Sequence, residues 1–367
     1  MIDACDSCLR RAFLIAHLAP RIAGLLGGGE RRATGLLALP EHDLIAAAAG
    51  RRVEQALAFL EALDVDAERD RLATGASSAV CAHADAYPPL LRDLADPPAV
   101  LFAVGRDETL DLLRDEPSVT LVGTRRASPY GTEVAYALGR GLGAAGVPVV
   151  SGLALGVDGT AHRGCLDGGG VPVAVVASGA DVVYPRRHRG LHERVCRAGV
   201  VLSELPPGTE PFRWSFPARN RIMAGLARMT LVVEAADPSG SLITAEFAKD
   251  LGRCVAAVPG RVTSTVARGT NNLLKDGATP ISGTEDVLDE LFGVGVRTVG
   301  DPGAPPAGPD NPALRAVLAA ADAHESVEAI ADAAGMTVAQ TRAALGRLEL
   351  DGHLVRRDLA GWERVAR

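Results

Sequence analysis

The 367-residue chain is 47% hydrophobic, enough to bury a sizeable core, and it has the length of two or three domains. Its formal net charge of -7 excludes a uniformly cationic coat for duplex DNA, while leaving room for a local basic groove. No apolar run reaches about 18 residues and MIDACDSCLRRAFLIAHLAPR lacks a signal-peptide core, so no membrane contact and a cytoplasmic location are expected.

Residues 1–75 read as short helices, FLIAHL, RIAGLL, ATGLLAL, HDLIAAAA and VEQALAFLEAL, separated by Pro20, the triple Gly27 to Gly29, Pro40 and Gly50. Helices joined in this way resemble a SAM-like or helix-hairpin-helix module, which serves DNA backbone or other protein. Cys5 and Cys8 form one CxxC, whereas Cys81, Cys165, Cys196 and Cys254 are scattered in or near apolar segments. A structural zinc site needs a second ligand pair at similar spacing, and the linear sequence shows none. Reduced thiols and no bound metal are expected.

From about residue 80 to 297 the chain alternates in the βαβ manner. Pro97-Pro98 introduces a strand from Ala99 to Val104, and a helix follows from Glu108 to Leu113. Further strands are expected near Val119–Val122, Val147–Val150, Val171–Val176, Val200–Leu202, Leu231–Val233 and Val255–Val258, with a last helix from Thr284 to Phe292. Strands that are apolar throughout must be covered on both faces. The pattern therefore predicts an α/β domain with an open, mostly parallel, Rossmann-like sheet.

Residues 298–312, TVGDPGAPPAGPDNP, have the composition of a semi-stiff linker. Residues 313–367 then give the helix, glycine turn, helix, strand, turn, strand order of a winged helix, with Ile330, Ala331 and Ala334 on one inward face and Leu345, Leu348 and Leu350 on another. Acidic residues slightly outnumber arginines in this tail. A major-groove reader should be more basic, so protein contact is the better reading of it.

In a parallel sheet, ligands sit beyond the carboxyl ends of strands. Three such ends here carry glycine beside a hydroxyl: Gly123-Thr124-Arg125, with Ser128 placed to cap the next helix; Ser151-Gly152 through Gly156-Val157-Asp158; and Ser178-Gly179, followed by Arg186 and Arg187. Gly152 and Gly156 let backbone N–H groups and a helix start approach an anion. None of these loops reads GxGxxG and no GxxxxGK[ST] occurs, which disfavours a nicotinamide dehydrogenase and excludes a P-loop ATPase at the motif level. Only Lys249 and Lys275 are lysines, so phosphate contacts should fall to arginine forks.

The segment EPFRWSFPARNRIMA interleaves Trp214 and Phe216 with Arg213, Arg219, Asn220 and Arg221. Arginines bind phosphates and aromatic faces stack bases, which is how single strands are held without sequence reading. The competing view has Phe212, Trp214 and Phe216 packing the loop while the arginines pair with Glu204, Glu210 or Glu234. Asp158 and His162 lie four apart on one helix face, and structural roles suit them better than catalysis, since nothing resembles a nucleophile elbow.

An ordered set of segments, AYPPLLRDLADPPAVLFAVG, VGTRRASPYG, SGLALGVDGTAHRGCLDGGG, YPRRHRGLHERV, GVVLSELPPG, FPARNRIMAGLA, VVEAADPSGSLITAEFAKDLGR, AVPG and GTNNLLKDGA, resembles the bacterial DNA-processing protein A family (DprA/Smf) over about residues 87–282. The flanking helical module and winged helix match that family's three-part plan. The resemblance implies a non-enzymatic protein without cofactor that binds and protects single-stranded DNA, helps load the RecA recombinase onto it in natural transformation and recombination, and dimerises through the Rossmann-like domain. Carried over by position, Arg125, Arg213, Arg219 and Arg221 look like phosphate ligands, Phe216 an aromatic contact and Asn220 an amide donor. Gly123, Gly152, Gly156, Ser239 and Gly240 shape the pocket. The turn reads GTR where GSR is common, and the pocket loop reads SGLALGVD where SGLAxGID is common; neither change removes a donor.

Three to five engaged phosphates would give a log affinity against log salt slope of about -2 to -3.5. The alternative is a nucleoside-monophosphate phosphoribohydrolase of the same superfamily, whose PGGxGTxxE loop Asp237-Pro238-Ser239-Gly240-Ser241 with Glu246 partly matches.

Overall fold

The computed structural model describes residues 2–26, 32–75, 77–299, 311–321, 326–350, 354–357 and 361–364. Two compact units result, Met1–Gly300 and Asp301–Arg367.

The first unit is built on one ten-stranded sheet: β1 (Ile2–Asp3), β2 (Ser78–Cys81), β3 (Val100–Gly105), β4 (Val119–Val122), β5 (Val149–Ser151), β6 (Pro172–Val175), β7 (Val200–Ser203), β8 (Met229–Val232), β9 (Cys254–Ala257) and β10 (Thr279–Pro280). Their spatial order is β1-β2-β3-β7-β6-β5-β4-β8-β9-β10. From β7 to β10 all neighbours are parallel, while β3 runs antiparallel to both β7 and β2. Every residue of β4, β6, β7 and β8 is buried, as strands covered on both faces require. The expected central strands are all present, shifted by a residue or two. β1, β2 and β10 are additions, too short or too weakly patterned to stand out from their sequence.

Helices Pro129–Ala144 and Val157–Asp167 pack closely together, as do Ser215–Leu226 and Gly240–Asp250. Chain order along the sheet runs β4, β5, β6, β7 one way and then returns to place β8 on the other side of β4. The loops leaving β4 and β8 therefore diverge and open a crevice between them.

The described part of residues 6–75 is mostly helical, as expected, but Pro20 does not end a helix: Asp6–Leu26 runs through it. The proline removes one backbone donor, and the buried row of Leu14, Leu18 and Ile22 offsets that loss. These helices are not free of the sheet domain. Trp214, 4% exposed, packs among Leu18, Ile22 and Leu44, and its indole N–H donates to the Ala19 carbonyl at 3.1 Å. The joint expected at Gly27 to Gly29 lies outside the described residues.

The second unit contains helices Pro312–Ala321, Val327–Ala334 and Val338–Leu350, then an antiparallel pair, β11 (Leu354–Arg357) and β12 (Gly361–Arg364). Ser326 caps the second helix, accepting from the Ala329 N–H, and Gly335 at φ 65° ends it in the left-handed conformation that glycine favours. Its core holds Val317, Ile330, Leu345, Leu348 and Leu354. The Leu350 side chain and linker residues 300–310 lie outside the described residues.

Candidate nucleic-acid interface

A cavity of about 770 Å³ opens at the carboxyl ends of β4 and β8. Its walls come from Gly123 to Arg125 after β4, Ala154 and Asp158 after β5, the start of helix Gly240–Asp250 after β8, and the 213–223 segment. The sequence brings these parts together because each follows a parallel strand, and parallel strands end on the same edge.

The rim is cationic and aromatic. Arg125 and Arg213 are exposed. The Arg125 guanidinium lies over the Phe216 ring, 5.1 Å from its centroid, and Tyr184 packs beside the same ring at 5.6 Å. Tyr184, 47% exposed, escaped the sequence pattern. Its signal was an aromatic directly before Pro185-Arg186-Arg187 at a strand-end loop.

Opposite stands the start of helix Gly240–Asp250, whose first turn contains no acidic residue. Ser239 caps it by accepting from the Ser241 N–H, and a side chain added at Gly240 would meet open space. Asn220 donates its amide to the Gly240 carbonyl at 3.1 Å, fixing this turn against the 215–226 helix. Open amides at a helix start are suited to an anion. Asn220 is thus partly committed to the protein, although it still lines the cavity.

Arg219 forms the floor. It is only 6% exposed, and its Nη1 donates to the Val175 carbonyl at 2.6 Å, while Nε has no hydrogen-bond partner among the described residues. Burial pulls its pKa down to about 10, partly opposed by the Asp158 charge. Asp158 is itself raised by burial, against the pull of Arg219, and its carboxylate accepts from the Gly152 N–H at 3.1 Å. His162 is fully buried, contacts the Val173 carbonyl at 3.3 Å, and is pushed down by burial to about 4.

Arg221 corrects the expectation that it is a phosphate ligand. It is 1% exposed, its Nε donates to Asp96 at 2.9 Å, and its two Nη atoms donate to Glu204. Burial opposes the charge, but Glu204 and Asp96 prevail and hold the guanidinium above its ordinary pKa. The competing reading therefore holds for Arg221 and for Trp214, while Arg213 is exposed and Phe216 only half-buried.

The glycines also divide. A Cβ at Gly152 would collide with the Arg219 guanidinium, and one at Gly156 (φ 76°) with the Thr124 carbonyl. At Gly123 it would press on Val157 and the Glu234 carbonyl. These three glycines admit the protein's own groups, whereas Gly240 leaves room for a ligand. Ser128 caps helix Pro129–Ala144 as expected, and its hydroxyl donates to Glu234 at 2.7 Å.

In the loop that partly matches the phosphoribohydrolase motif, the helix contributes Ser241, Ile243 and Thr244 to the cavity lining, and Glu246 is exposed on its outer face. Among the described lining residues the carboxylate is that of Asp158, already engaged.

No described helix is long and apolar enough to cross a membrane. The thiols hold one surprise: Cys81 and His83, distant in sequence, stand against Cys5 and Cys8.

A DprA of Mycobacterium tuberculosis is 41% identical over 259 residues, which is 70% of this chain and 66% of that protein, just under two thirds of its length. The structure of DNA processing protein A from Streptococcus pneumoniae superposes with a TM-score of 0.61 at 32% identity, covering 78% of this chain and 96% of that one. DNA processing protein A from Helicobacter pylori, described for its single-stranded DNA binding mode, gives 0.52 at 30% identity, covering 59% and 95%. The family model for DNA recombination-mediator protein A matches residues 78–292, well over half of the chain, and the chain belongs to that family.

Proposed function

We propose that this protein binds single-stranded DNA in the crevice between β4 and β8, and that it acts by holding the strand, not by cutting or modifying it. The carrying observation is the rim, where exposed Arg125 lies over Phe216 beside Tyr184, and exposed Arg213 and an open helix start line the same cavity. Phosphates suit the guanidinium groups and the Ser239 to Ser241 amides, and a base can stack on an aromatic face. The whole chain is acidic. A flexible strand can thread its phosphates inward, whereas a stiff duplex meets a surface of mostly the wrong sign.

DNA binding by the Helicobacter pylori relative and the family's recombination-mediator name support the same reading. On it, the protein protects single strands and passes them to RecA in transformation or recombination, working in the cytoplasm as a homodimer formed through the Rossmann-like domain. The proposed parts are a SAM-like module over 1–75, the DNA-binding domain over 80–297, a linker and a C-terminal winged helix for protein contact.

Fluorescence anisotropy with a labelled single-stranded oligonucleotide and its duplex tests the proposal. Tighter binding of the single strand, weakened by Arg125→Ala with an unchanged thermal melt, is expected. Equal affinity for both forms, or an Arg125→Ala variant that binds as the parent does, would refute it.

A further inference from the structure

The most unusual cluster outside the crevice lies at the far edge of the sheet. β1 and β2 pair in parallel, with Ile2 opposite Ala79 and Asp3 opposite Val80, so their carboxyl ends finish side by side. Cys5 follows β1, Cys8 lies in the first turn of helix Asp6–Leu26, Cys81 ends β2, and His83 sits in the turn beyond. Two pairs, Cys-x-x-Cys and Cys-x-His, separated by more than seventy residues, are thus brought to one point.

Their donor atoms all lie within 4.8 Å of one another. His83 Nδ1 is 3.5 Å from Cys5 Sγ and 3.3 Å from Cys8 Sγ, and Cys81 Sγ is 4.0 Å from Cys5 Sγ. A zinc ion with Zn–S of about 2.3 Å and Zn–N of about 2.0 Å sets the atoms of a tetrahedral shell roughly 3.5–3.8 Å apart. The four donors are therefore close to the spacing that one such ion needs, with up to about an ångström to close at the widest pair. Three thiolates and one imidazole are a soft, nitrogen- and sulfur-only set, which favours zinc over magnesium or calcium. Cys8 and Cys81 are buried, His83 is at the surface, and the Ser7 hydroxyl lies 3.3 Å from Cys5 Sγ, placed to donate to a bound thiolate.

We propose that Cys5, Cys8, Cys81 and His83 form a structural zinc site. Four protein ligands close the shell, leaving no position for substrate. The ion would clip a two-residue edge strand and the start of helix Asp6–Leu26 to the sheet. Two residues of pairing give that edge little stability of their own, and the same helix carries Ala19, the Trp214 acceptor, and Ala23, part of the crevice wall. The inference stands apart from the DNA reading.

The test is the metal content of the full chain, expressed in zinc-supplemented medium and purified without a histidine tag, together with the optical spectrum after exchange into cobalt(II). Near-stoichiometric zinc is expected, with strong ligand-field and thiolate charge-transfer bands of tetrahedral cobalt, a chelator-induced drop in melting temperature, and loss of the metal in Cys8→Ser. His83→Ala changes an exposed side chain, so it should fold while binding cobalt more weakly and with an altered spectrum. Substoichiometric zinc with no tetrahedral cobalt spectrum would overturn the proposal. So would a Cys8→Ser chain that keeps its full metal content, or non-reducing alkylation showing two of Cys5, Cys8 and Cys81 joined in a disulfide.

Discussion

Two arginines, one in the loop after β4 and one in helix Ser215–Leu226, end in opposite settings. Arg125 follows β4, lies exposed over Phe216, and keeps its guanidinium available to a ligand. Arg221 lies in EPFRWSFPARNRIMA, the segment that interleaves cations with aromatics, yet it is sealed between Asp96 and Glu204. Side-chain chemistry is identical in the two cases. What differs is whether distant parts of the chain deliver carboxylates: Asp96 comes from 125 residues away and Glu204 from 17. A cation is a phosphate ligand only where the fold has left it unneutralised.

The sharpest way to break this comparison is Arg221→Ala. It leaves two buried carboxylates without their partner, which should cost about 3–5 kcal/mol of stability in chemical denaturation. Single-strand affinity of the protein that remains folded should stay near the parent value. A variant that melts normally but no longer binds would move Arg221 back to the interface.

Phe216→Ala should act in the reverse manner. Loss of a stacking platform is expected to weaken single-strand binding by about 1–3 kcal/mol, roughly fivefold to 150-fold by anisotropy, with little change in the melt because the ring is only half-buried.

The buried His162 gives a third handle, away from both arginines. Its folded pKa of about 4 lies below the unfolded value of about 6.5, so between those pH values the unfolded chain takes up a proton that the native one refuses. Its contribution to stability is therefore full above about pH 6.5 and falls as pH drops toward 4, with a slope on the order of 1 kcal/mol per pH unit. His162→Gln should flatten this part of the stability profile relative to the parent. Identical slopes would show that the imidazole does not carry it.

The smallest expected effect is on salt. With Arg221 withdrawn, Arg125, Arg213 and at most Arg219 remain from the sequence-derived set, so the log–log slope should be about -1.4 to -2, not the steeper value expected from three to five phosphates. A slope beyond -3 would mean that cations outside this crevice contact the strand.

Legibility follows the range of the interactions involved. Apolar runs such as VTLV and VVLS mark buried parallel strands because covering both faces is a local demand on each residue, and a glycine-hydroxyl pair after a strand marks the ligand edge for the same reason. The sequence by itself thus determined the α/β sheet, the position of its central strands, the Ser128 cap and the loops that build the crevice. Tertiary structure alone decided that Arg221 is neutralised, that Gly152 and Gly156 admit the protein's own groups, that Tyr184 joins Phe216, and that Cys81 and His83 meet Cys5 and Cys8. Each of these depends on which strand ends become neighbours. That order is set by the packing of the whole sheet, and residues separated by more than seventy positions carry no periodic trace of it.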